Sequence, residues 1–286
     1  MNVGIVGLGL IGGSFAKAIK KNTTHKIFAF DKDISTLKFA KMIGAIDGEL
    51  SSDTLPLCDF VIIALYPEAT RDYIKNNARL IKKNAIVVDC CGVKRSVCDF
   101  CFEVANQSGF NFIGGHPMAG TQNSGFKHSR GTLFKNAYMI LVPKQGEDIA
   151  LLEKAKKLFV ELGFSRITIT SAARHDQIIA YTSQLAHIVS NGYVKSPNAL
   201  VHKGFSAGSY KDLTRVARLN KSMWTQLLIE NSDNLSSEID SLINELEKCS
   251  AAIKAKDADS LNKLLSEGVE CKEKAESMQV NSCDSF

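Results

Sequence analysis

The chain has 286 residues, 45% of them hydrophobic, with 35 basic and 30 acidic side chains and a formal net charge of +5. This size and composition fit one large or two modest globular domains and exclude a disordered chain. The charges are dispersed without a basic block, which argues against nucleic-acid binding, and no apolar run approaches the roughly 20 residues that span a bilayer. Val3, Gly4, Ile5 and Val6 read as a buried strand running into Gly7-Leu8-Gly9-Leu10-Ile11-Gly12-Gly13 and then an Ala-rich helix. Because a strand opens the chain with no basic segment before it, no signal peptide is expected. Gly7, Gly9 and Gly12 have the G-x-G-x-x-G spacing. In a dinucleotide site the first glycine permits a tight turn, the second admits a pyrophosphate to the backbone, and the third lets helix and strand pack closely. The free amides of the helix start then face the phosphates. A second strand, residues 26–30, ends at Asp31, where a carboxylate can hold the adenosine ribose 2′-OH. Gly7, Gly9, Leu10, Ile11, Gly12 and Asp31 are therefore the expected cofactor-binding set. Asp31 favours NAD over NADP, whose 2′-phosphate would face the carboxylate. The alternative is a glycine turn in some other α/β protein.

Further along, helices are expected over 35–43, 67–79, 94–108 and 147–162, and strands over 59–65, 85–88, 111–113, 137–142 and 166–169. This alternation is the signature of a parallel doubly wound sheet. Beyond Thr170 no strand is expected. Residues 176–195 and 213–254 carry apolar residues at helical spacing, and Trp224, Leu227, Leu228, Leu235, Ile239, Leu242, Ile243 and Leu246 form one stripe. Asp257 is positioned to cap a final helix through Leu265, and residues 277–286 read as a frayed tail. The fold class is an α/β Rossmann-type domain, residues 1–169, followed by an all-α domain, residues 170–286, for substrate binding and dimerisation. So broad an apolar helical face would be poorly covered in a monomer, so a homodimer is expected.

Eight cysteines are present, and Cys98 with Cys101 makes a lone C-x-x-C inside an expected helix. A zinc site would want a second pair or histidines at ligand spacing, so no metal is expected. The set reads as reduced thiols of a cytoplasmic protein, with Cys58 and Cys90 as small buried hydrophobes. A Rossmann domain with a helical domain after it suggests a dehydrogenase whose substrate lies between them. His116, in Gly114-Gly115-His116-Pro117, is placed at the carboxyl end of a strand, where α/β proteins bind ligands. It can accept a proton from a hydroxyl as hydride leaves the same carbon; the alternative is a structural loop histidine. His175 and His187 lie about three turns apart in one helical stretch, and each is by itself as well read as a satisfied polar residue. Lys211 and Arg215 are four apart and suit an anionic ligand, or are two solvated surface cations.

Taken together these segments resemble the prephenate dehydrogenase family, which includes arogenate dehydrogenases. The resemblance rests on G-L-G-L-I-G-G-S from Gly7, D-C-C-G-V-K from Asp89, G-G-H-P-M-A-G-T from Gly114, S-Q-L-A-H from Ser183, K-D-L-T-R-V-A from Lys211, and Met223-Trp224. These come in the family's order over nearly the whole chain. The resemblance implies NAD-dependent oxidative decarboxylation of prephenate to 4-hydroxyphenylpyruvate in tyrosine biosynthesis. It implies His116 as the histidine on the ring hydroxyl and Arg215 as the anchor of a substrate carboxylate. His187, His175, Lys211 and Gln122 are implied around the substrate.

Three positions depart from the family pattern. Gly92 stands where many members carry an active-site serine, Gln122 where some carry glutamate, and Ala186 where proline is frequent. With no further regulatory domain expected, feedback by tyrosine would act at the active site. The competing readings are an arogenate dehydrogenase, another two-domain dehydrogenase of the β-hydroxyacid or imine-reductase type, and a non-catalytic nucleotide sensor. The His-Pro-Met-Ala-Gly segment argues against the second, and His116 with Arg215 against the third.

Overall fold

In the computed structural model, which describes residues 1–146 and 148–281, β1 (Asn2–Val6), β4 (Phe60–Ile63) and β5 (Ile86–Asp89) are short apolar runs paired in parallel. A parallel strand covered on both faces must be apolar throughout. Alternate residues of β4 enter different cores: Phe60 and Ile62 join one cluster with Phe15, and Val61 and Ile63 join the other with Cys98 and Phe112. The remaining strands are β2 (Lys26–Phe30), β3 (Gly48–Glu49), β6 (Asn111–Met118), β7 (Tyr138–Val142) and β8 (Arg166–Ile169). The sheet order is β3-β2-β1-β4-β5-β6-β7-β8. Successive strands leave β1 on opposite sides, so a topological switch point lies at the carboxyl ends of β1 and β4. Helices α1 (Leu10–Asn22), α2 (Ile34–Met42), α3 (Pro67–Asn77), α4 (Arg95–Ser108) and α5 (Ile149–Glu161) connect the strands.

The sheet departs from the expected all-parallel pattern. β6 runs parallel to β5 through Ile113, then pairs antiparallel with β7 from Gly114↔Val142 to Met118↔Tyr138. The strand therefore continues through His116 and Pro117 rather than ending before them. Its two glycines are required by packing more than by access. A Cβ on Gly115 would lie 2.3 Å from the Asp89 carbonyl oxygen, and one on Gly114 would lie 2.5 Å from Cys98 Sγ. The helix expected from 147 begins at Ile149, capped by Asp148, whose carboxylate accepts the Ala150 N–H at 2.9 Å; Glu147 lies outside the described residues. The two-residue β3 is too short for periodicity to register.

After β8 the described chain is helical. α6 (Ala172–Ile179) passes through a π-helical turn, Ala180–Leu185, into α7 (Ala186–Tyr193). The continuous helix expected over 213–254 is broken twice, into α8 (Gly208–Thr214), α9 (Lys221–Glu230) and α10 (Ser232–Ala255). Asn220 causes one restart, its side chain accepting the Met223 N–H at 3.2 Å. Asn231 marks the other break. It is fully buried, and its amide donates to the Asp176 carbonyl at 2.9 Å and to Gln184 Oε1 at 2.7 Å. Apolar periodicity carries no trace of either side-chain bond.

Residues 236 onward form a separate unit containing most of α10 and α11 (Ala258–Asn281). Lys256, in the left-handed region at φ 54°, precedes Asp257, which caps α11 by accepting the Ser260 N–H at 3.0 Å. The cap is where the sequence placed it, but the helix runs to Asn281 rather than to Leu265. Residues 277–281 are therefore helical rather than frayed, and the rest of the expected tail, with Cys283, lies outside the described residues. Among the described residues no helix is long and apolar enough to cross a membrane.

Candidate functional site

The glycine turn sits at the switch point. Gly7 has φ +88°, and a Cβ there would meet the Ala64 carbonyl oxygen at 2.6 Å. A Cβ on Gly12 would fall 1.8 Å from the Gly7 oxygen, so α1 packs on β1 only without a side chain at that position. Gly9 has open space where its Cβ would be, and it caps α1 with no side-chain hydrogen bond. The first-turn amides around Leu10 and Ile11 thus face an open cradle suited to an anionic group. Asp31 closes the end of β2, its Oδ2 accepting the Leu8 N–H at 2.6 Å and its Oδ1 the Asp33 N–H at 2.9 Å.

His116 is half-buried on β6, with Nδ1 2.9 Å from Nε2 of His175. His175 lies on α6, only 2% exposed, and its own Nδ1 is 2.7 Å from Asp176 Oδ1. It therefore backs His116 from the interior, where the sequence reading placed it around the substrate. Burial first, then the neighbouring His175 and the Lys94 charge, hold His116 well below the ordinary histidine value. Burial likewise lowers His175 against the opposing pull of Asp176. The Asp176 carboxyl is held down despite burial by His175 and by the Arg95 and Lys94 amides. Beneath this chain lies a fully buried ion pair of Asp89 with Lys94. Asp89 also accepts the Gly115 N–H at 2.9 Å and the Cys91 N–H at 2.8 Å, so it ties the His116 strand to the end of β5. Its proximity keeps Lys94 charged, overcoming the burial that disfavours charge.

α9 packs beside Gly92 and against His187. A Cβ on Gly92 would lie 3.3 Å from Leu227 Cδ1 and 3.9 Å from His116 Nε2. Leu227 thus occupies the space next to the glycine, with no hydroxyl there beside His116. Three residues earlier on α9, Trp224 stacks on His187 with ring centroids 4.0 Å apart. His187 Nδ1 is bonded to the Ser183 carbonyl at 2.8 Å. Burial and the nearby Arg215 charge lower its pKa, with the Ser183 bond opposing them. Arg215 is exposed at the carboxyl end of α8, one turn after the exposed Lys211. Gln122, in the loop after β6, donates from Nε2 to the Arg215 carbonyl at 2.6 Å. The structure so joins His116 to His175, Gln122 to Arg215, and His187 to Trp224.

The sequence reading missed Asp176, Asp89 and Leu227 as members of this cluster. Asp176 offered one signal, its position directly after His175. Burial raises the thiols of Cys58 and Cys101 to about 12, and that of Cys91 well above its ordinary value, which disfavours the nucleophilic thiolate at these three positions. Among the described residues no group of three or more His, Cys, Asp or Glu is arranged to hold a metal.

A bare-amide glycine turn on a doubly wound sheet, with a histidine cluster closed by later helices, places the chain among the two-domain nucleotide-dependent dehydrogenases. Comparison with known proteins narrows that class. The family description "Prephenate dehydrogenase, nucleotide-binding domain" matches residues 15–168, and "Prephenate dehydrogenase, dimerization domain" matches residues 171–267. The chain belongs to the prephenate dehydrogenase family. It is 33% identical over 273 residues to a prephenate dehydrogenase of Bacillus subtilis, covering 90% of this chain and 71% of that protein. It is 29% identical over 270 residues to a cyclohexadienyl dehydrogenase of Zymomonas mobilis, covering 91% of each. A solved prephenate dehydrogenase from A. aeolicus, in complex with hydroxyphenyl propionate and NAD+, superposes with a TM-score of 0.82 at 28% identity over 98% of both chains. The glycine turn precedes the matched range, so its reading rests on its geometry.

Proposed function

We propose that this chain catalyses the NAD+-dependent oxidative decarboxylation of prephenate to 4-hydroxyphenylpyruvate in tyrosine biosynthesis. The observation that carries the reading is His116 itself, bonded through Nδ1 to His175 while Nε2 stays beside Gly92. An engaged Nδ1 and an available Nε2 are what a base toward a ring hydroxyl needs. The open cradle at Gly9 and the uncapped start of α1 fit a pyrophosphate, and Gly7, Gly9, Leu10, Ile11, Gly12 and Asp31 would hold NAD+. When bound, NAD+ takes the hydride from the ring carbon that bears the hydroxyl. His116 accepts the hydroxyl proton at Nε2 as that C–H bond breaks. It returns the proton to the ring oxygen once the carboxylate has left as CO₂ and the ring is aromatic. Aromatisation supplies much of the driving force, so the protein mainly orients the ring and holds its charges. Prephenate is a dianion: Arg215 would anchor a carboxylate, with Lys211, His187 and Gln122 around it. His175 acts one layer further in.

In this reading the functional division falls between residues 1–169 and 170–286. The helical part also forms a homodimer, supported by its match to a dimerization domain and by its exposed apolar residues. The reduced-thiol composition supports a cytoplasmic location. The test is reduced-nicotinamide absorbance with purified protein and NAD+, prephenate and arogenate being assayed in parallel. Rapid turnover of prephenate with CO₂ release supports the assignment. Turnover of arogenate alone reassigns the substrate, and turnover of neither overturns the reading.

A further inference from the structure

We propose that Asp176 is a positioning residue for His116, acting through His175 to fix its proton on Nδ1 and leave a bare lone pair on Nε2. The donors and acceptors along the chain fix the order of its protons. The Asp176 carboxylate can only accept. Its Oδ1 takes the Lys94 N–H at 2.7 Å and faces His175 Nδ1 at 2.7 Å; its Oδ2 takes the Arg95 N–H at 2.9 Å and Arg95 Nε–H at 3.3 Å. His175 Nδ1 must therefore carry hydrogen. A neutral imidazole has one N–H, so His175 Nε2 is an acceptor. His116 Nδ1, 2.9 Å away, must donate to it. One nitrogen of His116 is left, and it is the one beside Gly92.

Among the charged groups packed on this chain, Lys94 disfavours charge on both rings, while Asp176 and Asp89 pull His175 the other way and burial outweighs them. From the start of α4 come Lys94, paired with Asp89 of β5, and Arg95, bonded to Asp176 and Asp233. Burial lowers both histidines. Asp176 itself is fixed because it caps α4, whose first amides have no other acceptor in the helix. When His116 takes a hydroxyl proton at Nε2, its Nδ1 proton stays in place. The new imidazolium charge is stabilised by the His175 lone pair and, behind it, by the Asp176 carboxylate. No proton leaves the chain, and His116 releases its added proton to the phenolic oxygen at the end of the cycle. The tautomer rests on the hydrogen-bond geometry and on a neutral His175, while its catalytic consequence rests on the proposed prephenate chemistry.

Two variants test it. In Asp176→Asn one face of the side chain becomes an NH₂ group. Turned to His175, that group reverses the donor order down to His116 and puts the proton on Nε2. His175→Phe removes the link and leaves the cap on α4 intact, which separates positioning from folding. The first readout is nitrogen-15 NMR of the His116 ring in nucleotide-free protein, with His116→Asn to assign the signals. The second is the pH profile of kcat/KM with prephenate and NAD+. Expected are Nδ1–H in the native protein, loss of that single tautomer in both variants, and a fall in kcat of about 10²-fold or more with the KM for NAD+ little changed. Nε2–H in the native protein, or an unaltered His116 in both variants, overturns the proposal. The expected tautomers without prephenate turnover in the native protein would support the positioning and overturn the prephenate reading instead.

Discussion

The two ends of the candidate site are built on different principles. The glycine turn is a backbone site made by residues within one β-α unit, its shape fixed by missing side chains at Gly7, Gly9 and Gly12. The histidine cluster is a side-chain site drawn from β6, α6 and the start of α4, with His116 and His175 59 positions apart and Lys94 and Asp176 82 apart. The surroundings differ as well. Around the turn the sheet is packed on both faces, with Phe15 stacked on Phe134 at 4.2 Å and edge-on to Phe159. In the helical part Leu200 and Phe205 are 90% and 91% exposed, in the stretch between α7 and α8. A region that completes its own core can hold a backbone cradle rigidly. Large apolar groups left in water are the kind of surface that a partner covers.

That contrast can be broken most sharply at His116. Replacement by Asn is expected to lower kcat by about 10²–10⁴-fold while nucleotide binding persists, because the two sites share no residues. Steady-state kinetics with a separate NAD+ titration checks both halves. On the sheet side, Phe15→Ala is expected to cost about 3–5 kcal/mol of stability, since a fully buried ring in an aromatic cluster leaves a cavity. A denaturant midpoint unchanged from the native protein would contradict the packing account. On the helical side, Phe205→Asp is expected to shift the protein toward monomer in analytical ultracentrifugation, with the Rossmann part still folded. A native protein that sediments as a monomer would remove the explanation for that exposed surface.

A smaller effect concerns pH. The folded-state pKa values of His116 and His175 are depressed below the free value near 6.5. The unfolded chain therefore binds protons first, and stability is lost as pH falls from about 6.5 toward the folded values. Thermal melting should drop between pH 7 and 5, and His175→Phe should flatten that slope. The smallest expected change is at a helix start: Asn220→Ala should cost about 1 kcal/mol by removing the α9 cap.

Several features were legible in the residues because they are local. The glycine spacing, the acidic end of β2, the cap at Asp257 and the apolar strands all act within one element or turn. The order of the β-α units follows from their alternation. Other features required the packed chain. The turn of β6 from parallel to antiparallel pairing depends on β7 lying beside Gly114, which no period in residues 111–118 encodes. The breaks before α9 and α10 depend on Asn220 and on buried Asn231, whose partners Asp176 and Gln184 are remote in sequence. Most of all, the sequence by itself determined that His116 and His175 were polar residues in plausible places. Only tertiary structure decided that one faces the other, because the proton order of an imidazole is set by what its second nitrogen meets. Asp176 decides that meeting by capping α4 and holding His175 with the same carboxylate.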